Sequence, residues 1–223
     1  MTLFAVMAVM TVFAIGLLAV APSIQQEIQR EKELEAIRRG EEVADAIRQY
    51  VEFYRGSRLP SSMDDLLDGL PFGSKKRMIL RASAAIDPLS EDGRWRLIKA
   101  DATSLGPFAK RVQSYNGGTL PSNPSNTLDR FGIVVVSALN TETDDGLEAD
   151  SEDDDGELSL DIATENTPFI GVASQNKGKS IISYYGIESR SKWVFTPLFR
   201  GTSGNRFIPN RSIRPFANTI PTR

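Results

Sequence analysis

The chain of 223 residues contains no cysteine and no histidine. Without cysteine it can form neither disulfides nor a reactive thiol, and without histidine it lacks His-based zinc sites and a Ser-His-Asp triad. The glycine patterns that bind dinucleotides and nucleoside triphosphates are also absent. We therefore predict that the protein is not an enzyme, with no catalytic residue and no cofactor. A cysteine-free chain fits the bacterial envelope as well as the cytoplasm, so compartment stays open.

Charge is segregated along the chain. Residues 140–165 hold twelve acidic residues and no Lys or Arg, and the rest of the chain carries 26 basic against 17 acidic residues. Residues 199–223 contain five arginines and no acid. The net charge of −3 therefore says little about partners. The arginines lack the aromatic spacing of a nucleic-acid module, and we predict no nucleic-acid partner.

The acidic segment superficially matches the start of a calcium loop. When Ser151 is counted as the first position, acidic residues are followed by Gly156 at the sixth position, where an EF-hand loop has its glycine. The twelfth position is then Ile162, where a bidentate glutamate is required. We interpret residues 140–165 as a solvated acidic loop and assign no metal ligand, while a looser calcium site built from a few carboxylates stays open.

A long apolar stretch opens the chain. Residues 3–21 read LFAVMAVMTVFAIGLLAVA, and no charged residue precedes Glu27. A spanning helix needs about 20 apolar residues, and a core helix would show a polar face. Residues 1–22 are therefore predicted as a transmembrane helix. A signal peptide cleaved after residues 19–21, leaving a secreted enzyme, is the least favoured alternative, because no basic residue precedes the stretch.

Basic residues follow this stretch at Arg30, Lys32, Arg38 and Arg39. Applied alone, the positive-inside rule places the C-terminal body in the cytoplasm. This leaves a second hypothesis open, a membrane-anchored binding or regulatory module with no filament role.

Residues 23–56 predict an amphipathic stalk helix. Pro22 allows a kink, and Gly56 ends the helix. One face carries a stripe with a spacing of three or four residues, typical of packing on a sheet: Ile37, Gly40, Ala44, Ile47, Val51 and Tyr54. A helix continuous over residues 3–55 would be roughly 80 Å long and would protrude from any compact head.

Residues 57–200 predict an α+β globular head. Ser61 or Ser62 caps a short helix over residues 63–70, and Asp87-Pro88 opens a turn. Alternating or apolar runs predict strands that pair antiparallel, at residues 94–99, 131–139, 169–173, 180–185 and 192–195. Residues 117–129, the acidic loop and the tail 201–223 are predicted to be irregular.

Three features resemble the type IV pilin-like family, most closely the type II secretion pseudopilins. They are the apolar helix ending in Pro22-Ser23-Ile24, the step Leu59-Pro60-Ser61-Ser62, and Asp87-Pro88 followed by Gly93-Arg94-Trp95. Residues 168–174 and 192–195 resemble later strands of that group. The resemblance implies a long N-terminal transmembrane and stalk helix packed on a small antiparallel β-sheet head.

It further implies a structural subunit of a type II secretion or type IV pilus-like filament. Such a subunit sits in the bacterial inner membrane with its head in the periplasm. Leu3, Phe4, Ala5 and Pro22 would be the membrane and assembly residues. Its partners would be homologous pilin-like subunits, membrane proteins of the secretion machinery and inner-membrane lipid.

Ala5 stands where most pilins carry a glutamate that is thought to neutralise a neighbour's terminal amine, which counts against a major-subunit role and leaves major or minor subunit open. The family's helix follows a basic leader ending in Gly, which this sequence does not carry before residue 3. Such a leader, encoded upstream, would direct the head outward.

Overall fold

The computed structural model describes residues 2–141 and 167–201, except for the side chains of residues 14–23 and 140–141. Four α-helices and seven short strands make up this part of the chain. Their bounds are α1 Thr2–Phe53, α2 Met63–Leu67, β1 Leu70–Phe72, β2 Lys75–Arg77, β3 Arg96–Ile98, α3 Ala102–Tyr115, α4 Asn126–Thr141, β4 Gly171–Ala173, β5 Lys179–Tyr184, β6 Ile187–Ser189 and β7 Val194–Phe195. A 3-10 turn, Arg190–Lys192, joins β6 to β7.

Helix α1 is continuous over 52 residues and passes through Pro22 without a break. It ends after Phe53, where Arg55 and Gly56 take φ angles of 50° and 74°. The amide of Gly56 donates to the carbonyl of Val51 at 2.8 Å, which closes the last turn. The predicted stop at Gly56 is confirmed, and the helix is about 78 Å long at 1.5 Å per residue.

The predicted transmembrane stretch, residues 3–21, lies in the first half of α1. The side chains of residues 14–21 are outside the described part of this stretch. Among the residues that the structure describes, no helix has a segment both long enough and apolar enough to span a bilayer.

Three small antiparallel sheets form the head, in line with the predicted α+β class. The central sheet has the order β3-β4-β7, with Leu97 opposite Val172 and Val172 opposite Phe195. The other two are the hairpins β1–β2 and β5–β6. The turn of β5–β6 is Tyr185-Gly186, and both residues have positive φ, as a type I′ turn requires.

The second half of α1 packs on the central sheet through the predicted stripe. Ile37, Ala44, Ile47 and Val51 are all buried. Gly40 lies under the ring of Phe195, where an added Cβ would stand 2.3 Å from a ring carbon. A side chain at position 40 would therefore hold the helix away from the sheet.

The predicted Asp87-Pro88 turn forms and is closed by a bond from the Asp87 amide to the Gly93 carbonyl at 2.9 Å. The Asp87 carboxylate is buried and accepts from the Leu89 amide at 2.9 Å and the Ser174 hydroxyl at 2.7 Å. Burial raises the pKa of Asp87, although these two hydrogen bonds act to lower it. The turn thus ties the entry of β3 to the end of β4.

The predicted strand over residues 131–139 is wrong, because these residues belong to α4. Its buried residues Leu128, Gly132 and Val135 recur every three or four positions, whereas Ile133 and Val134 are exposed. This helical period is hidden in an almost continuous apolar run. Helix α4 also begins at Asn126, inside the segment 117–129 that was predicted to be irregular.

Two further predictions concern the short helices. Ser62 caps α2 as predicted, and Asp65 completes a capping box, but α2 ends at Leu67 rather than at residue 70. Helix α3 was not predicted at all. Residues 142–165 of the acidic loop and residues 202–223 of the tail lie outside the described residues, as does the open calcium site.

Candidate assembly surface

Residues 2–13 of α1 form what we call the N-terminal apolar segment. Its large side chains are 57–76% exposed, and they point to all sides of the helix: Leu3, Phe4, Val6, Met7, Val9, Met10, Val12 and Phe13. Contiguous exposed apolar surface of this kind marks a contact with protein or membrane, whereas single exposed apolar residues do not. The segment is therefore the main candidate for an assembly surface.

The polar group at Thr11 is satisfied within this segment. Its hydroxyl lies 2.8 Å from the carbonyl of Ala8 and 3.1 Å from that of Met7. A hydroxyl that bonds back to its own helix needs no partner from water. Thr11 therefore does not conflict with apolar surroundings.

The predicted assembly residues fall at two places on α1. Leu3, Phe4 and Ala5 lie in its first turns and are exposed. Ala5 forms a shallow apolar groove together with Val6, Val9 and Met10, and no charged side chain lines it. Pro22 lies about 26 Å further along the helix at 1.5 Å per residue, and its side chain is outside the described part.

A buried carboxylate fixes the stalk to the head at Glu33. This side chain has no exposed surface. Four donors bond it, namely the amides of Ile181 and Ile182 at 3.0 Å, the Ser180 hydroxyl at 2.7 Å and the Gln29 amide nitrogen at 3.1 Å. The Arg190 guanidinium forms an ion pair with it at 3.1 Å. The charge pair with Arg190 and the strand amides compensate the cost of burying the carboxylate.

A second carboxylate, Glu41, lies two turns further along α1 and is also buried. It accepts from the Tyr184 hydroxyl at 2.6 Å and pairs with Arg200 at the end of the described head. Burial, followed by the Glu41 charge, raises the pKa of Tyr184 well above its ordinary value. Burial alone would lower the pKa of Arg200, but the charge and hydrogen bond of Glu41, together with Tyr184 and Tyr185, outweigh burial and raise that pKa.

Partly exposed ion pairs continue along the same half of α1. Glu35 bonds both Arg38 and Arg39 at 2.7 Å, and Glu42 forms a bidentate pair with Arg81 at 2.7 Å. The Arg38 hydrogen bond is the main cause that lowers the pKa of Glu35 to about 2. These pairs lie on the side of the stalk that is not buried in the hydrophobic core.

Sequence reasoning missed Glu33 and Glu41 as structural residues. Their spacing contained the signal, because both lie four residues from Ile37 on the apolar stripe. A carboxylate on a buried helix face requires donors from the opposing element. Those donors come from β5 and residues 190 and 200, which are too distant in sequence to be assigned without the fold.

No group of three acidic side chains within residues 2–141 and 167–201 is arranged to hold a metal ion.

No family model, curated protein or solved structure matches the chain.

Proposed function

We propose that this protein is a non-enzymatic structural subunit of a pilin-like filament, of the type II secretion or type IV pilus kind. In this proposal the N-terminal apolar segment and the residues up to 21 lie in the bacterial inner membrane before assembly. They pack with homologous subunits in the filament core afterwards, while the head faces the periplasm. Membrane proteins of the secretion machinery would be further partners.

The observation that supports the proposal is the division of α1 into two kinds of surface. Residues 2–13 expose apolar side chains on every side, and residues 33–51 are held to the head by a buried stripe and two buried carboxylates. A rigid helix with one end fixed and the other end apolar can transfer between lipid and a bundle of like helices, since neither environment hydrates it.

Single cysteines provide a clean test, because the natural chain has none. We expect Val9→Cys to give dimers with a thiol cross-linker in membranes of expressing cells. Ser83→Cys, on an exposed part of the head, serves as the matched control and should give few. Equal yields from both positions, or a chain that partitions wholly away from membranes, would refute the proposal.

A membrane-anchored module with a cytoplasmic body remains the second candidate. The basic residues Arg30, Lys32, Arg38 and Arg39 directly after the apolar stretch favour it. A C-terminal alkaline phosphatase fusion separates the two candidates. Activity supports the filament subunit, and its absence together with fluorescence of a cytoplasmic reporter supports the module.

A further inference from the structure

The β1–β2 hairpin, residues 70–77, projects a basic and apolar tip. Phe72 and Met78 are 73% and 66% exposed, and every residue from 71 to 78 is exposed. No acidic residue occurs between Asp68 and Asp87. Gly73 has a φ of 62° at the first turn position, which fits a type II′ turn. This turn holds the strands in register, so the tip is a defined surface.

Two of the four nearby cations are already neutralised. Lys76 pairs with Asp68 at 3.2 Å, and Arg81 forms the bidentate pair with Glu42. Lys75 and Arg77 form no ion pair with any carboxylate of the described residues, and Arg77 donates only to the neutral Gln49 at 3.4 Å.

The register places these two cations on one face beside Phe72. Phe72 is directly opposite Lys75, and Leu70 is opposite Arg77. Alternation along a strand puts these four residues on the same side of the hairpin, with Leu70 buried and the other three exposed. A surface with two unpaired cations around an aromatic ring fits an acidic segment that also carries apolar side chains.

The position of the hairpin argues against lipid as its partner. The bond from Arg77 to Gln49 fixes the hairpin near the end of α1 that lies furthest from the apolar segment. Gln49 lies about 40 Å along the helix from residue 21, at 1.5 Å per residue. Under the proposed function, a bilayer around residues 3–21 would not reach the hairpin.

We propose that the hairpin binds the acidic segment, residues 140–165, of a second copy of this chain. That segment supplies twelve acids without a base, and Leu147, Leu158, Leu160 and Ile162 lie among them. The chain therefore carries both a basic, apolar hairpin surface and an acidic segment of complementary charge. The inference rests on the proposed function only in taking the partner to be another subunit.

The test uses the full chain in detergent with two differently tagged single-cysteine variants. One carries Ser74→Cys at the hairpin turn, and the other carries Ala149→Cys in the acidic segment. A bismaleimide should join them into a heterodimer, with less product as salt rises. Lys75→Glu with Arg77→Glu should lower the yield roughly tenfold, since each exposed pair contributes a few-fold in affinity.

The matched control is Lys177→Glu with Lys192→Glu, which makes the same charge change at two other exposed positions. It should leave the yield within about twofold of the parent, as distant surface charges are screened. Reversing Glu152 and Asp154 to Lys in the Ala149→Cys partner should restore the product with the hairpin double variant. A thermal midpoint close to that of the parent would confirm that the hairpin double variant is folded.

Several results would overturn the inference. They are the absence of a heterodimer, an equal loss in the control, and no rescue by the charge swap. A Ser74→Cys/Ala149→Cys chain that cross-links only within itself would show that the segment binds in its own subunit. Binding of the parent to phosphatidylserine vesicles that the hairpin variant loses, without a heterodimer, would point to lipid. The proposed function is tested separately, by adding Val9→Cys to the Lys75→Glu/Arg77→Glu variant and measuring cross-links between the N-terminal apolar segments.

Discussion

The two halves of helix α1 are built from one continuous backbone and yet have opposite surfaces. Residues 33–51 bury a stripe of small and branched side chains, and two glutamates on that stripe are fully paired with the head. Residues 2–13 carry apolar side chains that are exposed on every side of the helix. Charged side chains therefore lie in the half of the helix that is fixed to the head. The half without charged side chains is the one left to contact other molecules.

The largest expected effect comes from removing the charge that fixes the stalk. Glu33→Ala removes the ion-pair partner of Arg190 and the acceptor of the part-buried amides of Ile181 and Ile182. We expect a loss of about 3–5 kcal/mol in the free energy of unfolding, as for other broken buried ion pairs. Urea denaturation of the full chain in detergent, followed by tryptophan fluorescence, measures it.

Glu27→Ala is the matched control, since Glu27 is exposed and its pair with Arg30 is 3.9 Å long. It should change the free energy of unfolding by less than about 0.5 kcal/mol. A loss of the same size in both variants would mean that Glu33 does not fix the stalk.

The second prediction concerns the N-terminal apolar segment. Val9→Asp should leave the unfolding of the head unchanged, because Val9 is 68% exposed and lies 24 residues before Glu33, where α1 is first bonded to the buried part of the head. It should weaken membrane retention by about 3 kcal/mol, which is the insertion cost of an aspartate at a helix centre. Fractionation of cells measures retention, and Ser83→Asp on the head is the control.

Unaltered retention of the Val9→Asp chain in membranes would contradict the assignment of this segment to the bilayer. Lower stability of its head would contradict the separation of α1 into two independent halves.

The third prediction tests the close contact of stalk and sheet. Gly40→Ala would gain about 1 kcal/mol of helix propensity. The new Cβ, however, would stand 2.3 Å from the Phe195 ring, and overpacking of this kind costs typically 1–3 kcal/mol. We therefore expect urea denaturation to show a net loss of about 1 kcal/mol in the free energy of unfolding.

The double variant Gly40→Ala/Phe195→Leu makes this prediction specific. It should be more stable than the sum of its single effects implies, because the smaller side chain leaves room for the new methyl group. Strict additivity would show that residues 40 and 195 do not compete for the same space.

Much of this division could be predicted from the sequence. The apolar run, the stripe from Ile37 to Val51 and the stop at Gly56 depend on neighbours within one or two turns, and local spacing reports such neighbours well. The apolar run of α4 was misinterpreted because apolar residues on its exposed face obscure the helical period. Apart from Gln29, the partners of Glu33 and Glu41 could not be predicted, since they come from about 150 residues away.

The smallest effect is expected from acid acting on the exposed pairs of the fixed half. The hydrogen bond from Arg38 holds the pKa of Glu35 at about 2, below its ordinary value of 4.5. A carboxylate whose folded pKa is lowered contributes stability above pH 4.5, and this contribution is lost as pH falls from 4.5 towards 2. The side chain is 34% exposed, so screening limits the contribution to about 1 kcal/mol or less.

Urea denaturation at pH 5 and pH 3 measures this loss in the parent and in Glu35→Gln, which cannot titrate at that position. The difference in unfolding free energy between the two chains should be smaller at pH 3 than at pH 5. A difference independent of pH would show that the Glu35 pairs add nothing to the fixed half. The comparison of the two halves would then rest on Glu33 and Glu41 alone.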